Sequence, residues 1–236
     1  MTKIEKKLWK KVDRYVPILR HVPFLRYVSV CNNLSFSKTE EGSDIDLFII
    51  AKKNRLFIVR TLVTFLFQVL GVRRHGNRIK SRFCLSFFID DSHLDLSGIA
   101  ISNDIYLAFW FKYQVPILDD NVSKDLIIQN VWVKNYFEDD IFFRDDKVTV
   151  NKSYIKTVLG LALKGVIGDL IEKALGSWQL KRSKKKADVL EDKSGISISP
   201  NILKFHNNDR RREYRNKWFN KYRTDETLDL EKFKQL

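Results

Sequence analysis

The hydrophobic residues of the first hundred positions follow two periods, one typical of helices and one typical of strands. Residues 3–16 place an apolar side chain every three or four positions, with lysines opposite, which predicts an amphipathic helix ending before Pro17. Residues 56–70 are apolar nearly all round, as in a helix that packs on a sheet and is covered on its other side, and Gly71 ends them. Short apolar runs rich in β-branched or aromatic residues predict strands at 26–34, 44–51, 83–89 and 94–96.

From residue 102 onward the apolar positions recur at helical spacing. Ser102 is expected to cap the first helix of this part, and Ser199 with Pro200 is a typical start for the last one. The predicted helices cover 102–113, 122–137, 153–186 and 200–219. Strands clustered in 26–97 and followed by helices favour the α+β class. We therefore expect a small mixed-sheet domain over 1–100, a mostly helical domain over 101–220 and a mobile tail over 221–236.

The charge of the chain is unevenly distributed. Its 236 residues include 43 Lys and Arg against 29 Asp and Glu, a net charge of +14. Residues 1–30 hold eight basic and two acidic residues, and residues 181–236 hold 16 and nine, whereas the middle of the chain is near neutral. Basic ends indicate a polyanionic partner such as nucleic acid, or an anionic membrane, although basic surfaces also serve solubility alone.

The two cysteines and the length of the apolar runs indicate the cellular compartment in which the protein is expected. Cys31 and Cys84 lie in separate strand-like runs, outside any CxxC or Cys/His cluster, which is typical of buried thiols in a reducing compartment. The N-terminus lacks the uninterrupted apolar core of a signal peptide, and no run reaches the roughly 18 apolar residues that span a bilayer. We expect a cytoplasmic protein for which a membrane partner is unlikely.

The stretch EGSDIDLFII, at 41–50, contains the first candidate chemistry. Side chains two apart on a strand point the same way, so Asp44 and Asp46 would lie side by side at the mouth of a buried strand. Like charges at that distance repel. Such a pair can bind a divalent cation, share a proton, or lie on a solvated edge.

In this region the chain resembles the nucleotidyltransferase superfamily typified by DNA polymerase beta. That family shows a strand ending in Gly-Ser, a short helix or loop, and then a strand opening with Asp-x-Asp. Here the stretch EGSDIDLFII matches the second of these strands. The resemblance covers roughly residues 26–97 and implies transfer of a nucleotidyl group from an NTP, with two Mg²⁺ ions on paired aspartates. Asp44 and Asp46 would be the metal ligands and catalytic residues.

The resemblance also implies the rest of the nucleotide site. Asn32 and Asn33 stand where the family has Gly-Ser, and with Ser43 they would form a rim that faces the phosphates. A third catalytic carboxylate usually follows on a neighbouring strand. Asp95 is the acid with the best sequence context, while the strand at 83–89 offers only the hydroxyl of Ser86.

Two basic segments are candidates for binding nucleic acid. The loop at 72–82 carries Arg73 and Arg74, which could grip a triphosphate or a phosphate backbone, or could belong to a solvated connector. Arg210, Arg211 and Arg215 on the last predicted helix could neutralise RNA or DNA while aromatic side chains stack on bases, or could simply face solvent. His206 and Asp209 on that helix could bind a metal, but two ligands without a third usually form a local hydrogen-bonded pair, which is what we expect here.

Three functions follow, in this order. The first is a cytoplasmic nucleotidyltransferase that uses Mg²⁺ and an NTP on an unidentified acceptor. The second is a catalytically inactive relative that binds RNA or DNA through its basic helices. The third is a membrane-surface scaffold, because residues 153–186 combine an apolar face with a basic end.

Overall fold

A seven-stranded mixed β-sheet runs through the computed structural model, which describes residues 1–206, 209–222 and 227–236. The strands are β1 Leu25–Cys31, β2 Ile45–Ala51, β3 Phe83–Asp90, β4 Val115–Asp119, β5 Thr149–Val150, β6 Ile196–Ile198 and β7 Ile202–Phe205. Their order across the sheet is β5-β4-β1-β2-β3-β7-β6. The pairs β2–β3 and β4–β5 are parallel, and the other neighbours are antiparallel.

Helices cover both faces of the sheet. They are α1 Lys3–Tyr15, α2 Leu56–Val69, α3 Ile105–Lys112, α4 Ser123–Gln129, α5 Tyr154–Ala162, α6 Val166–Asp188, α7 Arg211–Lys221 and α8 Leu230–Lys234. Because strand side chains alternate, Leu47 and Ile49 enter an aliphatic core under α1 and α2, while Phe48 and Ile50 enter an aromatic core under α3 and α7. The class is therefore mixed α and β, consistent with the α+β prediction.

The first hundred residues follow the sequence pattern closely. The helix predicted at 3–16 is α1, and Thr2 caps it in a capping box with Glu5. The helix predicted at 56–70 is α2, and the runs at 26–34, 44–51 and 83–89 coincide with β1, β2 and β3 apart from their end residues. The exception is 94–96, which is a loop between Asp90 and a short 3₁₀ turn at Ser97–Ile99.

Beyond residue 102 several predictions are wrong. Strands β4 to β7 come from this segment, so strands are not confined to 26–97. The helix expected at 200–219 begins only at Arg211, because β7 pairs with β3 and takes up the preceding residues. Asp104, rather than Ser102, caps α3, and Gly165 with a φ of 68° breaks the long helix expected at 153–186 into α5 and α6.

The expected mobile tail at 221–236 is also wrong over the residues that the structure describes, 221–222 and 227–236. Phe233 on α8 is 1% exposed and stacks on Phe109 with ring centroids 4.0 Å apart. The end of the chain is thus part of the aromatic core, while the prediction for 223–226 lies outside the described residues.

Helix α6 is anchored across α2, and this contact shapes the site described below. The carboxylate of Glu172 accepts the N–H groups of Phe57 and Ile58 at 2.8 and 2.9 Å, which caps the start of α2 from a neighbouring helix. Gly176 lies so close that an added Cβ would sit 2.9 Å from the Phe57 ring. Of the described helices, none is long and apolar enough to cross a membrane.

Candidate functional site

The paired aspartates lie at the start of β2, where the aromatic face of the sheet opens into a cleft. Asp44 immediately precedes β2 and Asp46 is its second residue, and Cys84 on the parallel strand β3 pairs with Asp46. One ligand atom from each of the three side chains lies within 4.8 Å of the other two. The prediction that both carboxylates face the same side is therefore confirmed.

An arginine of the basic loop already touches this pair. Arg74 Nη1 lies 2.6 Å from Asp44 Oδ2 and 3.7 Å from Cys84 Sγ. Its backbone is held beside β3, since the N–H of Arg74 donates to the carbonyl of Phe83 at 2.8 Å. The Arg74 side chain is 41% exposed against 17% for Asp44, so the guanidinium can exchange the carboxylate for solvent or a ligand.

Asp46 carries an unfavourable charge. Burial, and then the neighbouring charge of Asp44, raise the pKa of Asp46 from 3.8 to about 6, although hydrogen bonds from Asn32 and Cys84 act in the opposite direction. Burial and the charge of Asp46 likewise raise the pKa of the Cys84 thiol. A bound cation would relieve both effects, because it stabilises the deprotonated forms.

The asparagines that replace Gly-Ser occupy the rim of the cleft. Asn32 ends β1 in the left-handed region with a φ of 59°, a conformation that asparagine tolerates better than most residues. Asn33 is exposed and also lines the cleft. Ser43 does not line it, because the Ser43 hydroxyl accepts the N–H of Glu40 at 2.8 Å within the preceding turn.

Asp95 is not part of the site. Asp46 pairs with Cys84 at the beginning of β3, whereas Asp95 follows Asp90 at the far end of that strand. Asp95 is exposed and its carboxylate accepts the N–H of Ser97 at 2.8 Å. Its prediction as the third catalytic acid is therefore wrong; the neighbouring strand instead brings Cys84, and Ser86 after a bulge, into the cleft.

The cleft has a volume of about 1020 Å³, and the Lys and Arg residues that line it outnumber the acids by eight to three. They come from α2, the basic loop, α6, β7 and the start of α7: Arg60, Arg73, Arg74, Arg182, Lys186, Lys204, Arg210 and Arg211. The acids that line it are Asp44, Asp46 and Asp209. Such an excess of positive charge in a concave site attracts polyanions.

Sequence reasoning missed the contribution of α2, α6 and β7. Arg60 and Gln68 were unusual as polar interruptions of an otherwise apolar helix, and both line the cleft. Burial lowers the pKa of Arg60 to about 10, and its guanidinium donates to Gln179 on α6 at 2.7 Å. A lone polar residue inside an apolar helix was the available signal.

The three arginines predicted to bind nucleic acid lie at the start of α7 and within it, and their surroundings differ. Arg211 is 4% exposed and pairs with Asp104 at 3.2 Å and with Asp209 at 2.8 Å, so its prediction as a nucleic-acid contact is wrong. Arg210 lines the cleft and binds Glu213, and Arg215 donates to the carbonyl of Ser102 at 3.0 Å outside the cleft.

His206 and Asp209 do not form the expected pair. Asp209 accepts instead from Arg211 and from the Ser194 hydroxyl, which hold its pKa well below the usual range despite burial. Burial and the nearby Lys204 lower the pKa of His206 to about 3, so its imidazole is neutral at physiological pH. The prediction failed because residues up to Phe205 form a strand, and helical spacing does not apply there.

Comparisons with known proteins gave no match: neither family models nor curated proteins nor solved structures showed significant similarity to the chain.

Proposed function

We propose that the protein is a nucleotidyltransferase-like enzyme that binds an NTP with a divalent cation and transfers a nucleotidyl group to an acceptor. The observation that carries the proposal is the placement of Asp44 and Asp46, side by side at the mouth of a cleft that is otherwise strongly cationic. A metal–triphosphate complex matches this pattern because it presents one positive centre and several negative oxygens.

The order of elements supports the same proposal. Helix α1 and strand β1 are followed by a 3₁₀ turn at Asn32–Leu34, then β2 with its paired aspartates, α2, and the parallel neighbour β3. This is the strand, short turn and Asp-x-Asp strand that the resemblance implies. Cys84 and Ser86 stand on β3, where the family has its third carboxylate.

The residues present fit one Mg²⁺ ion better than two. Asp44 and Asp46 provide hard oxygen ligands within reach of one ion, which would neutralise the phosphate oxygens of a bound NTP. No third carboxylate joins them among the described residues, and the thiol of Cys84 is a soft donor that Mg²⁺ does not favour. We therefore assign one ion to Asp44 and Asp46 and no residue set to a second.

The chain's own residues would position the nucleotide. Arg74 would leave Asp44 and contact a phosphate instead, since its guanidinium lies at the same edge of the cleft and is partly exposed. Asn32 directly follows β1, and a hydrogen bond from its side chain would favour the ionised carboxylate of Asp46. Tyr106 and Tyr214 line the cleft with ring centroids 5.1 Å apart and would offer aromatic contact area to a base.

The test compares nucleotide binding with and without the carboxylates. Isothermal titration with a non-hydrolysable NTP is done in Mg²⁺ and in EDTA, on the wild type, on the double variant Asp44→Asn/Asp46→Asn, and on Asp145→Asn. Asp145 is exposed and lies outside the cleft, so it serves as a matched control. We expect the double substitution and EDTA each to weaken binding about tenfold or more, and Asp145→Asn to have no effect.

Turnover is then measured with an NTP labelled at the α-phosphate, scoring pyrophosphate release and label transfer to protein, RNA or DNA. Transfer that needs both Mg²⁺ and the two aspartates supports the enzyme. If neither EDTA nor the double substitution changes the NTP affinity from that of the wild type in Mg²⁺, the proposal is overturned, because the carboxylates then hold no cation for the nucleotide.

A non-catalytic relative is the second candidate, and one observation favours it. Arg74 neutralises Asp44 without any metal, and the third acidic position holds a thiol, so the site could persist as a structural remnant. The cationic cleft would then bind RNA or DNA through phosphate contacts alone. Salt-sensitive oligonucleotide binding that the double substitution leaves unchanged, with no NTP binding, would favour this function.

A further inference from the structure

Lys204 lies on the same face of the sheet as the paired aspartates, two strands away. On β2, Asp46 and Phe48 point to one side; Phe48 is opposite Phe87 on β3, and Phe87 is opposite Lys204 on β7. Residues directly opposite each other on neighbouring strands share a face. Two strand spacings place the backbone of Lys204 roughly 10 Å to the side of β2, and Lys204 lines the cleft.

Lys204 is largely buried and has no countercharge among the described residues. The residue is 6% exposed, no described carboxylate lies within ion-pair distance of its nitrogen, and no described group forms a hydrogen bond with that nitrogen. The polar contact it does make is with the ring of Phe87, at 5.8 Å from the centroid. Burying an unpaired charge is costly, which is why lysine is almost never buried unless paired.

The two acids whose charges act on Lys204 are both used elsewhere. Asp209 accepts from Arg211 and from Ser194, and Asp104 caps α3 and pairs with Arg211. Burial, and then the like charge of Arg211, lower the pKa of Lys204 to about 8.

We propose that Lys204 is a phosphate-binding residue that contacts the oligophosphate of a nucleotide in the cleft. The inference deepens the proposed function and rests on its assignment of a nucleotide as the ligand. Phosphate oxygens would give the ammonium group of Lys204 a countercharge, two strands away from Asp44 and Asp46 on the same face of the sheet. Lys204 would contact the phosphate oxygens directly and would need no metal ion. Its role can therefore be tested in EDTA, separately from the role of the aspartates.

The experiment titrates pyrophosphate into the protein in EDTA at low salt. The wild type is compared with Lys204→Met and Lys204→Gln, which remove the charge and keep a chain of similar length. Lys152→Met is the control, because Lys152 is exposed and lies outside the cleft. This substitution changes the net charge by the same amount as the Lys204 substitutions do. We expect Lys204→Met and Lys204→Gln to weaken pyrophosphate binding about tenfold or more, as loss of a charge-assisted hydrogen bond does, and the control to lose less than twofold.

Both Lys204 variants are expected to fold, because they remove a buried unpaired charge, and thermal melting checks this first. Equal pyrophosphate affinity in wild type and either folded variant overturns the inference. The source of the phosphate is identified in the same buffer with an NTP and with a single-stranded DNA 12-mer. Dependence on Lys204 for the NTP supports the assignment, and dependence confined to the 12-mer contradicts it.

The outcomes also separate the two proposals. If Lys204 is needed for pyrophosphate but the aspartates are not needed for NTP with Mg²⁺, the phosphate contact stands and the enzyme does not. If the aspartates are needed and Lys204 is not, the proposed function stands and the role of Lys204 is purely structural.

Discussion

Replacing Asp46 by asparagine is expected to stabilise the metal-free protein at neutral and alkaline pH. The carboxylate of Asp46 is partly buried and lies beside Asp44, so its ionised form is disfavoured in the folded state. Asparagine has nearly the same shape, carries no charge and can still accept a hydrogen bond through its side-chain oxygen. A gain in stability on removing a polar group is typical of residues kept for function.

The size of the effect follows from the pKa of Asp46, which is about 6 in the folded protein and 3.8 without the fold. A raised pKa means that the folded protein holds this proton to higher pH than the unfolded chain does. Stability is therefore fully present below pH 3.8, is lost as pH rises toward 6, and stays lost above it. At about 1.4 kcal/mol per pKa unit, the loss reaches about 3 kcal/mol at pH 8 and about 1 kcal/mol at pH 4.5.

Urea unfolding in EDTA measures the difference between wild type and Asp46→Asn at both pH values. We expect the variant to gain about 3 kcal/mol at pH 8, or roughly 6–12 °C in melting temperature for a chain of this size, and about 1 kcal/mol at pH 4.5. Asp145→Asn, at an exposed position, is the control and should change little at either pH. A variant that is less stable at pH 8, or that gains equally at both pH values, would refute the electrostatic reasoning.

Three further predictions concern the walls of the cleft. Glu172→Ala leaves two buried N–H groups of α2 without an acceptor and should cost about 2–4 kcal/mol in urea unfolding. Arg211→Met leaves buried carboxylates unpaired and should lower the free energy of unfolding by about 3–5 kcal/mol. The control Arg212→Met, at an exposed position, should change it by no more than about 0.5 kcal/mol. Thermal melts followed by circular dichroism compare the two variants. Burial and Asp46 raise the pKa of the Cys84 thiol, so native protein should react with iodoacetamide at pH 8 more slowly than urea-unfolded protein, measured by mass spectrometry.

The sequence predicted the part of the site that depends on local pattern. Period-2 alternation places Asp44 and Asp46 on one side of β2 whatever the rest of the chain does, and the structure agrees. The asparagine at the end of β1 also behaves as local chemistry suggests, since Asn32 adopts the left-handed conformation. Both conclusions need only the residues next to each other in the chain.

The other wall of the cleft depends on long-range pairing, which a single sequence does not reveal. The segment containing Lys204 reads as helical, yet β7 pairs with β3 more than a hundred residues earlier, and that pairing brings Lys204 and His206 into the cleft. The same pairing overturns the helix expected at 200–219. Arg211 was misjudged for a related reason, because its buried partner Asp104 is distant in sequence.

On one face of the sheet the cleft holds an acid and a lysine whose charged forms are disfavoured. Burial and then the charge of Asp44 raise the pKa of Asp46 to about 6, while Lys204 has no carboxylate partner among the described residues, and burial and then the charge of Arg211 lower its pKa to about 8. A simple anion would relieve Lys204 and worsen the aspartates, and a free cation would do the reverse. A ligand that carries a divalent cation bound to an oligophosphate would relieve both at once, and this supports the proposed metal–nucleotide complex over a nucleic-acid backbone alone.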